Sequence, residues 1–410
     1  MHILLYEHIS SGGLAGEDLP ASILSEGFAM LNTATADFQA AGHDVTVLLD
    51  SRLAIYGAAL KTKNMLAAST KEDAKKTLLK TSKEANATLV IAPESDQVLS
   101  SIVTQLEYNN VQSLNCSPKA IEKVSNKANL QTYAASLGLP VPETLLLSST
   151  ATTQEITAAI TRHLQFPVIL KPTDGTSCSG LSVIDSPSQI STAVNKIKKF
   201  SADKQFIAQQ FVEGVAVSVS VISNGHQALP ISLNRQSLVL KAPEADSAYS
   251  GGEVPFESTI KEAAYSVAKK VVESTDGLNG YIGVDLVLTA DTAFILDLNP
   301  RLTTSYVGLS KVACFNIAQA IVDAVVNGKL PEAPTLSGYS CFSKITLPKP
   351  PLSALPLIYK MPGVISPPFP LQGEKQACAL LEAHGITVFQ AHRNLQEAKE
   401  QLIHACKGDL

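Results

Sequence analysis

The sequence predicts mixed α/β and α+β character: an N-terminal open parallel α/β domain, a small mobile lobe, a larger core lobe and a short C-terminal extension. Three observations carry this expectation. Residues 2 to 49 run apolar strand, glycine-rich loop, helix and apolar strand, which is a βαβ opening. After Pro140 and Pro142 the alternation changes to short strand–helix–strand units. Residues 285 to 301, DLVLTADTAFILDLNPR, read as two apolar strands around a polar turn.

In the first unit, residues 1 to 117, strands are expected at 2 to 7, 45 to 49 and 87 to 92. A loop at Ser10 to Gly16, helices at 21 to 41 and 96 to 109, a Lys-rich helix from Lys61 to Ala87 and an extended piece at 113 to 115 complete it. The lysines read as a solvated helix face. Residues 118 to 214 open with a helix containing Lys127, followed by strands at 144 to 148, 168 to 171, 181 to 184 and 206 to 212, and helices at 154 to 164 and 187 to 199. Residues 215 to 334 carry strands near 217 to 222, 229 to 232, 281 to 288 and 293 to 298, with helices near 258 to 274 and 313 to 327. Residues 335 to 410 begin Pro-dense, with eight prolines between Pro348 and Pro370, and end helix–strand–helix (374 to 384, 386 to 390, 395 to 406).

Composition narrows the function. The chain has 410 residues, 45% hydrophobic and 17% charged, enough for several packed cores. Tryptophan is absent and aromatics are 5%, which argues against a stacking platform for single-stranded nucleic acid. With net charge −5, a phosphate site has to be local, and no nucleic-acid partner is expected. No apolar run reaches the ~18 residues of a membrane span and no secretory leader is evident, so no membrane partner and a cytoplasmic location are expected. The six cysteines form no CxxC pair, and neither disulfides nor structural zinc are expected.

Chemistry concentrates in a few places. Along the last strand, alternation puts Ile295, Asp297 and Asn299 on one face. A symmetric turn from Thr289 to Ala293 sets Asp285 across from Asp297. Facing carboxylates destabilise a ladder, and a hard cation held by carboxylates and phosphate oxygens compensates them. VILKPTDGTSCSGLSVI presents Lys171 at a strand end, then Gly175, Thr176, Ser177, Ser179 and Gly180, a loop whose amides can fold over phosphates. Neither GxxxxGK[ST] nor GxGxxG is present. Next, Gln210, Phe211, Val212 and Glu213 form a hinge where a base could meet strand-edge backbone and Glu213 could accept ribose hydroxyls.

In order, Lys127, Lys171, the glycine loop, the hinge acid, Asp285 and Asp297-x-Asn299-x-Arg301 resemble the ATP-grasp superfamily over residues ~118 to 330. The resemblance implies that Lys127 and Lys171 contact ATP phosphates, that the loop closes over them, and that Asp285, Asp297 and Asn299 hold two Mg²⁺, or Mn²⁺ in their place. It also implies that Arg301 steadies an acyl-phosphate, with Lys171 and Arg301 as catalytic residues. Two departures stand out: Asp297 replaces the usual glutamate, and Asn126 precedes Lys127 where aspartate is commoner. The phrases YEHISSGG, IAPESDQVL, SLNRQSL, YSGGEVP and NPRLTTSYVGL look like the tyramine–glutamate ligase group. That narrower resemblance implies small-molecule substrates, L-glutamate and tyramine, joined through an acyl-phosphate. ATP-grasp ligases often associate, so a homodimer is an expectation as well.

Substrate contacts are expected from loops near these motifs. Arg235 could clamp a carboxylate bidentately, and Gly251, Gly252, Glu253, Thr304 and Ser305 lie in the adjoining segments. Glu7, His8, Ser11 and Gly12 follow the first strand, where open α/β sheets bind ligands. Two other functions fit the sequence less well. A nicotinamide oxidoreductase on SSGGLAG would use Asp50, but that acid lies 37 residues past Gly13, beyond the ~20 expected. A non-catalytic ATP-binding module would have no need of both acids and Arg301.

Overall fold

The computed structural model describes residues 1–407 apart from Thr176, Ser177, Ala202, Ala333, Gln372 and Glu374. Three sheets organise them. The first takes β1 (His2–Glu7), β2 (Asp44–Asp50), β3 (Asn64–Ala68) and β4 (Ala87–Ile91) in the order β3-β2-β1-β4, and every pairing is parallel. Both faces of such a sheet are covered by its crossover helices, here Ala21–Ala40, Lys71–Glu84 and Val98–Tyr108.

A small antiparallel sheet holds β5 (Thr144–Ser148), β6 (Val168–Pro172), β7 (Ser182–Ile184) and β8 (Gln205–Gln210), ordered β5-β8-β6-β7. Helices Thr153–His163 and Ile190–Phe200 bury their apolar stripes on it: Ile156, Ile160, Ile190 and Ile197 are within 2% of complete burial.

The third sheet has eight antiparallel strands. They are β9 (Val215–Asn224), β10 (Ala228–Val239), β11 (Ala248–Val254), β12 (Asn279–Leu288), β13 (Ala293–Asn299), β14 (Tyr339–Pro348), β15 (Val364–Pro370) and β16 (Gln376–Gly385), ordered β13-β12-β9-β10-β11-β14-β16-β15. The loop between β10 and β11 reaches the small sheet, where Val183 N donates to Lys241 O (2.9 Å) and Lys196 Nζ to Ala245 O (2.5 Å).

Several expected elements differ. The helix expected over Lys61 to Ala87 spans only Lys71–Glu84, because NMLAA pairs with β2 as an edge strand and Thr70 then caps the helix by accepting from Asp73 N. A 3₁₀ helix, Ser51–Leu60, precedes that strand. The expected helix 374 to 384 is strand β16. Its Ala- and Leu-rich sequence favours a helix, but its buried residues lie between β14 and β15, and that packing decides. Residues 386 to 390 enter the last helix, Val388–Lys407, instead of forming a strand. β11 and β14 were not anticipated. The helix expected over 313 to 327 begins at Ile317 and runs to Asn327, started by the Asn316 side chain accepting from Gln319 N at 2.8 Å, and a separate helix, Ser305–Val312, not expected from the sequence, precedes it.

Helix Ala21–Ala40 is buried on almost every side, between the parallel sheet and the C-terminal strands. Phe28 packs edge-on against Phe369 of β15 with ring centroids 5.2 Å apart, and Tyr56 meets the same ring at 4.8 Å. This helix thereby carries Glu26 to the meeting place of the first and third sheets, while its other acid, Asp37, accepts from Tyr306 and Ser310. Among the described residues no helix is long and apolar enough to cross a membrane.

Candidate active site

The β12–β13 hairpin lays down the floor of a cavity of ≈ 210 Å³. Its turn has four residues, Thr289 to Thr292, closed by Thr289 N donating to Thr292 O at 2.9 Å. Leu288 faces Ala293 and Leu286 faces Ile295, so regular pairing would bring Leu296 opposite Asp285. A bulge intervenes, and Asp285 faces Asp297. Gln131 supports the bulge by donating from Nε2 to Ile295 O (3.0 Å) and Leu296 O (3.2 Å). One consequence corrects the expected faces: Ile295 is fully buried in the apolar core with Leu298, and Asp297 and Asn299 face the cavity without it.

Burial and the charge of Asp297 push Asp285 up to about 6, against the opposing effects of Asn299, Lys127 and Gln236. Asn299 Nδ2 and Gln236 Nε2 reach its two oxygens at 3.0 and 2.9 Å. Lys127 neutralises the other acid, with Nζ 2.5 Å from Asp297 Oδ2. Burial pulls the Lys127 ammonium down, but Asp297, Glu94 and Asp285 outweigh it and hold it above its ordinary value. An oxygen-only set of two facing acids and an amide, with one lysine to balance them, fits a hard divalent cation.

Lys171 ends β6 above this floor. Burial and the neighbouring Lys127 charge bring it down to about 8. Lys127 N donates to Thr173 O at 2.8 Å, and the loop ends are tied by Thr173 Oγ1 to Asp203 Oδ2 (2.6 Å) and Ser201 Oγ to Asp174 Oδ1 (3.0 Å). Gly175 and Ser179 line the cavity. Gly180 sits beside them at φ +71°, a left-handed conformation that glycine adopts without strain. Thr176 and Ser177 lie outside the described residues.

Arg301 lies just past β13 and is fixed by Glu94, in the loop that follows β4 of the first sheet. Glu94 receives Nη2 at 3.0 Å, and Nε lies 2.8 Å from its other oxygen, off the hydrogen-bond axis, so that contact is ionic. Both side chains are nearly enclosed, and both line the cavity. The hinge residues are not among those that line it. Gln210 is occupied by Gln165, its amide bridging that residue's N–H (3.0 Å) and carbonyl (2.9 Å). Phe211 and Val212 are half-buried and Glu213 is exposed.

Of the residues expected to touch substrate, Thr304 and Ser305 line the cavity and the others do not. Arg235 is exposed and stacks over Phe256, with the guanidinium 5.7 Å from the ring centroid, because its neighbour Gln236 takes the inward face of β10. Gly251 and Gly252 serve close strand packing: a Cβ at Gly251 would lie 2.0 Å from Phe342 O, and one at Gly252 would lie 2.4 Å from Arg235 O. Glu253 pairs with His392 at 3.2 Å. Glu7 accepts from the backbone of Ser10 (2.7 Å) and Ile9 (3.2 Å), which shapes the loop after β1. His8 is brought down to about 4 by burial and Lys71 and contacts Tyr6. Ser11 Oγ donates to Leu48 O at 2.5 Å, and Gly12 packs against Ala68 and Ala74. Asp50 is engaged by Arg52 at 2.7 Å, which removes the ribose-binding acid an oxidoreductase would need.

Sequence reasoning missed Glu26, Glu94, Ser218, Gln236 and Tyr249, all of which line the cavity. Glu94 had a visible signal. It stands at the C-terminal edge of a parallel sheet, where such sheets bind ligands.

Residues 124–305 match the ATP-grasp domain and residues 43–121 the pre ATP-grasp 3 domain. The chain belongs to the ATP-grasp superfamily. Its class is that of the ATP-dependent carboxylate–amine ligases, which use ATP and Mg²⁺. A tyramine–L-glutamate ligase of Methanocaldococcus jannaschii is 29% identical over 315 residues, covering 75% of this chain and 84% of that protein. A second, from Methanocaldococcus fervens, is 31% identical over 54% of this chain and 60% of that protein. The fold is shared with a biotin carboxylase of Campylobacter jejuni: TM-score 0.72, 14% identity, 97% of this chain and 90% of that one.

Proposed function

We propose that the chain joins the side-chain carboxylate of L-glutamate to the amine of tyramine, giving γ-glutamyltyramine, ADP and phosphate, on the way to a methanofuran-type C1 carrier. The supporting observation is the joint one of relatives so named, one matched over 84% of its length, and a cavity in which Lys127, Lys171, Asp285, Asp297, Asn299 and Arg301 converge.

Phosphoryl transfer needs positioning and charge neutralisation more than covalent chemistry. Lys127 and Lys171 hold the phosphates as point charges, while the Gly175–Gly180 loop folds its amides over them. Asp285, Asp297 and Asn299 would hold two divalent cations, Mg²⁺ or Mn²⁺, and these would supply neutralisation of the phosphate charge. Arg301, aimed by Glu94, receives the carboxylate and then the acyl-phosphate. The amine attacks the acyl carbon and the C–O bond to phosphate breaks. Glu213 at the hinge receives the ribose.

Purified protein with Mg-ATP, L-glutamate and tyramine is expected to release ADP and phosphate stoichiometrically with a γ-glutamyl amide, seen by mass spectrometry. Turnover only with another amino acid and amine would replace the substrates and keep the class. No ADP with any pair in a broad panel would overturn the reading.

A further inference from the structure

Four of the cavity's acids are already engaged near the phosphate end. Asp285 and Asp297 face each other on the floor, Glu94 holds Arg301, and Asp174 holds the loop. Glu26 stands apart from them. It comes from helix Ala21–Ala40 of the first unit, its side chain is 8% exposed, and it still lines the cavity. Lys344 of β14 lies 2.5 Å from its Oε1, and Thr304 Oγ1 donates to its Oε2 at 3.2 Å. A carboxylate offers about four lone-pair positions, and these contacts use two.

The wall around Glu26 is rich in oxygen. Thr304, Ser305, Ser218 and Tyr249 present hydroxyls to the same cavity, with Ser218 and Ser305 Oγ 3.3 Å apart. The same cavity is lined by Lys127, Lys171 and Arg301. It therefore offers cations to anionic groups and, at Glu26 and its hydroxyl neighbours, acceptors to a cationic one. Lys344 is not among the residues that line the cavity; it pairs with Glu26 from β14 and supplies its counter-charge.

We propose that Glu26 binds a substrate ammonium group, with Thr304 and Ser305 completing the site and Lys344 positioning the carboxylate. The proposal rests on the ligase reading above and deepens it. The ammonium belongs either to the α-amino group of the carboxylate substrate or to the amine acceptor, and both present three N–H donors on an alkyl stem.

Glu26→Gln keeps the shape and the Thr304 contact while removing the charge. Hydrogen bonds to charged groups of this kind correspond to roughly 10- to 100-fold in KM. If the α-ammonium is bound, KM for L-glutamate rises by that factor, kcat/KM for glutarate, which lacks the ammonium, stays constant, and KM for tyramine is unchanged. If the acceptor is bound, KM for tyramine rises and that for glutamate does not. Either pattern supports the site. Unchanged KM values for both substrates, or equal losses on glutamate and glutarate with tyramine unaffected, overturn it. The MgATP-induced rise in Tm should match wild type and reports that the phosphate end is intact. Lys344→Met should shift the same KM as Glu26→Gln, and Lys344→Arg should restore it. Should Glu26→Gln not fold, the double variant with Lys344→Met removes the stranded charge and is read in the same way. Absence of ADP with every substrate pair is the failure of the ligase reading. In that case calorimetry with L-glutamate and with tyramine, in the presence of a non-hydrolysable MgATP analogue, tests the site alone: wild type binds one of them and the variant does not, whereas equal or absent binding overturns it.

Discussion

Asp285 and Asp297 face each other across the β12–β13 ladder only because one extra residue, Leu296, is bulged out between them and the turn. Gln131 holds that bulge by two carbonyls. Gln131→Leu should cost about 1–3 kcal/mol, the penalty for leaving buried carbonyls unpaired, and should lower kcat more than it raises KM for ATP. Thermal denaturation and steady-state kinetics check both.

Asp297→Ala removes one floor carboxylate and strands Lys127, its 2.5 Å partner. Turnover should fall by roughly 10²–10³-fold or more, while nucleotide binding weakens only partly because Lys171 and the loop remain. Chelating divalent metal from wild type should abolish ADP formation, and excess Mg²⁺ should restore it.

Lys171, held at about 8 by burial and Lys127, loses its charge as pH rises through that value. For the free enzyme, kcat/KM for ATP should therefore fall on an alkaline limb near pH 8, by at most about tenfold per unit. Lys171→Arg should move the limb beyond the measurable range, since guanidinium stays charged. Stability moves the opposite way. The folded value lies below the ordinary 10.5, so burying the charged form costs stability below about pH 8, and that cost is relieved as pH climbs from 8 to 10.5.

Glu94→Gln leaves Arg301 buried without its counter-charge. Breaking such a pair costs about 3–5 kcal/mol, so Tm should fall clearly. Among molecules that remain folded, kcat should drop while MgATP affinity is kept, as the proposed role of Arg301 towards the carboxylate substrate requires.

Gly251→Ala places a Cβ 2.0 Å from Phe342 O at φ +135°. The expected outcome is loss of folded protein, more than about 4 kcal/mol, and not a raised KM. Soluble yield and circular dichroism distinguish this from a role in holding substrate.

The facing of Asp285 and Asp297 was read correctly from the sequence, but through two compensating errors. The expected turn was five residues with regular pairing, and the actual one is four with a bulge. The two differ by one residue in opposite senses and cancel at Asp285. No such cancellation helped on β10. There SLNRQSL marked the right segment, but a one-residue phase decides whether Arg235 or Gln236 faces inward, and Asn234 on the inward face is fixed by Ser218 and Ser220. Glu26 was out of reach for another reason. Its place depends on how the first unit meets Thr304 and β14, contacts between residues hundreds of positions apart that no local pattern encodes. β16 shows the same limit, with helix-favouring residues held extended by two neighbouring strands.

The packing of helix Ala21–Ala40 against β15 and β16 has a consequence for the order in which the chain can be finished. Phe28 is made long before its ring partner Phe369. Lys344, the counter-charge of Glu26, also follows that helix by a long stretch of chain. A nascent chain therefore carries an apolar helix with one face uncovered until β14 to β16 have been made, the exposure that makes long-range folds prone to association. The Glu26 wall of the cavity takes its final form only when those strands close over the helix.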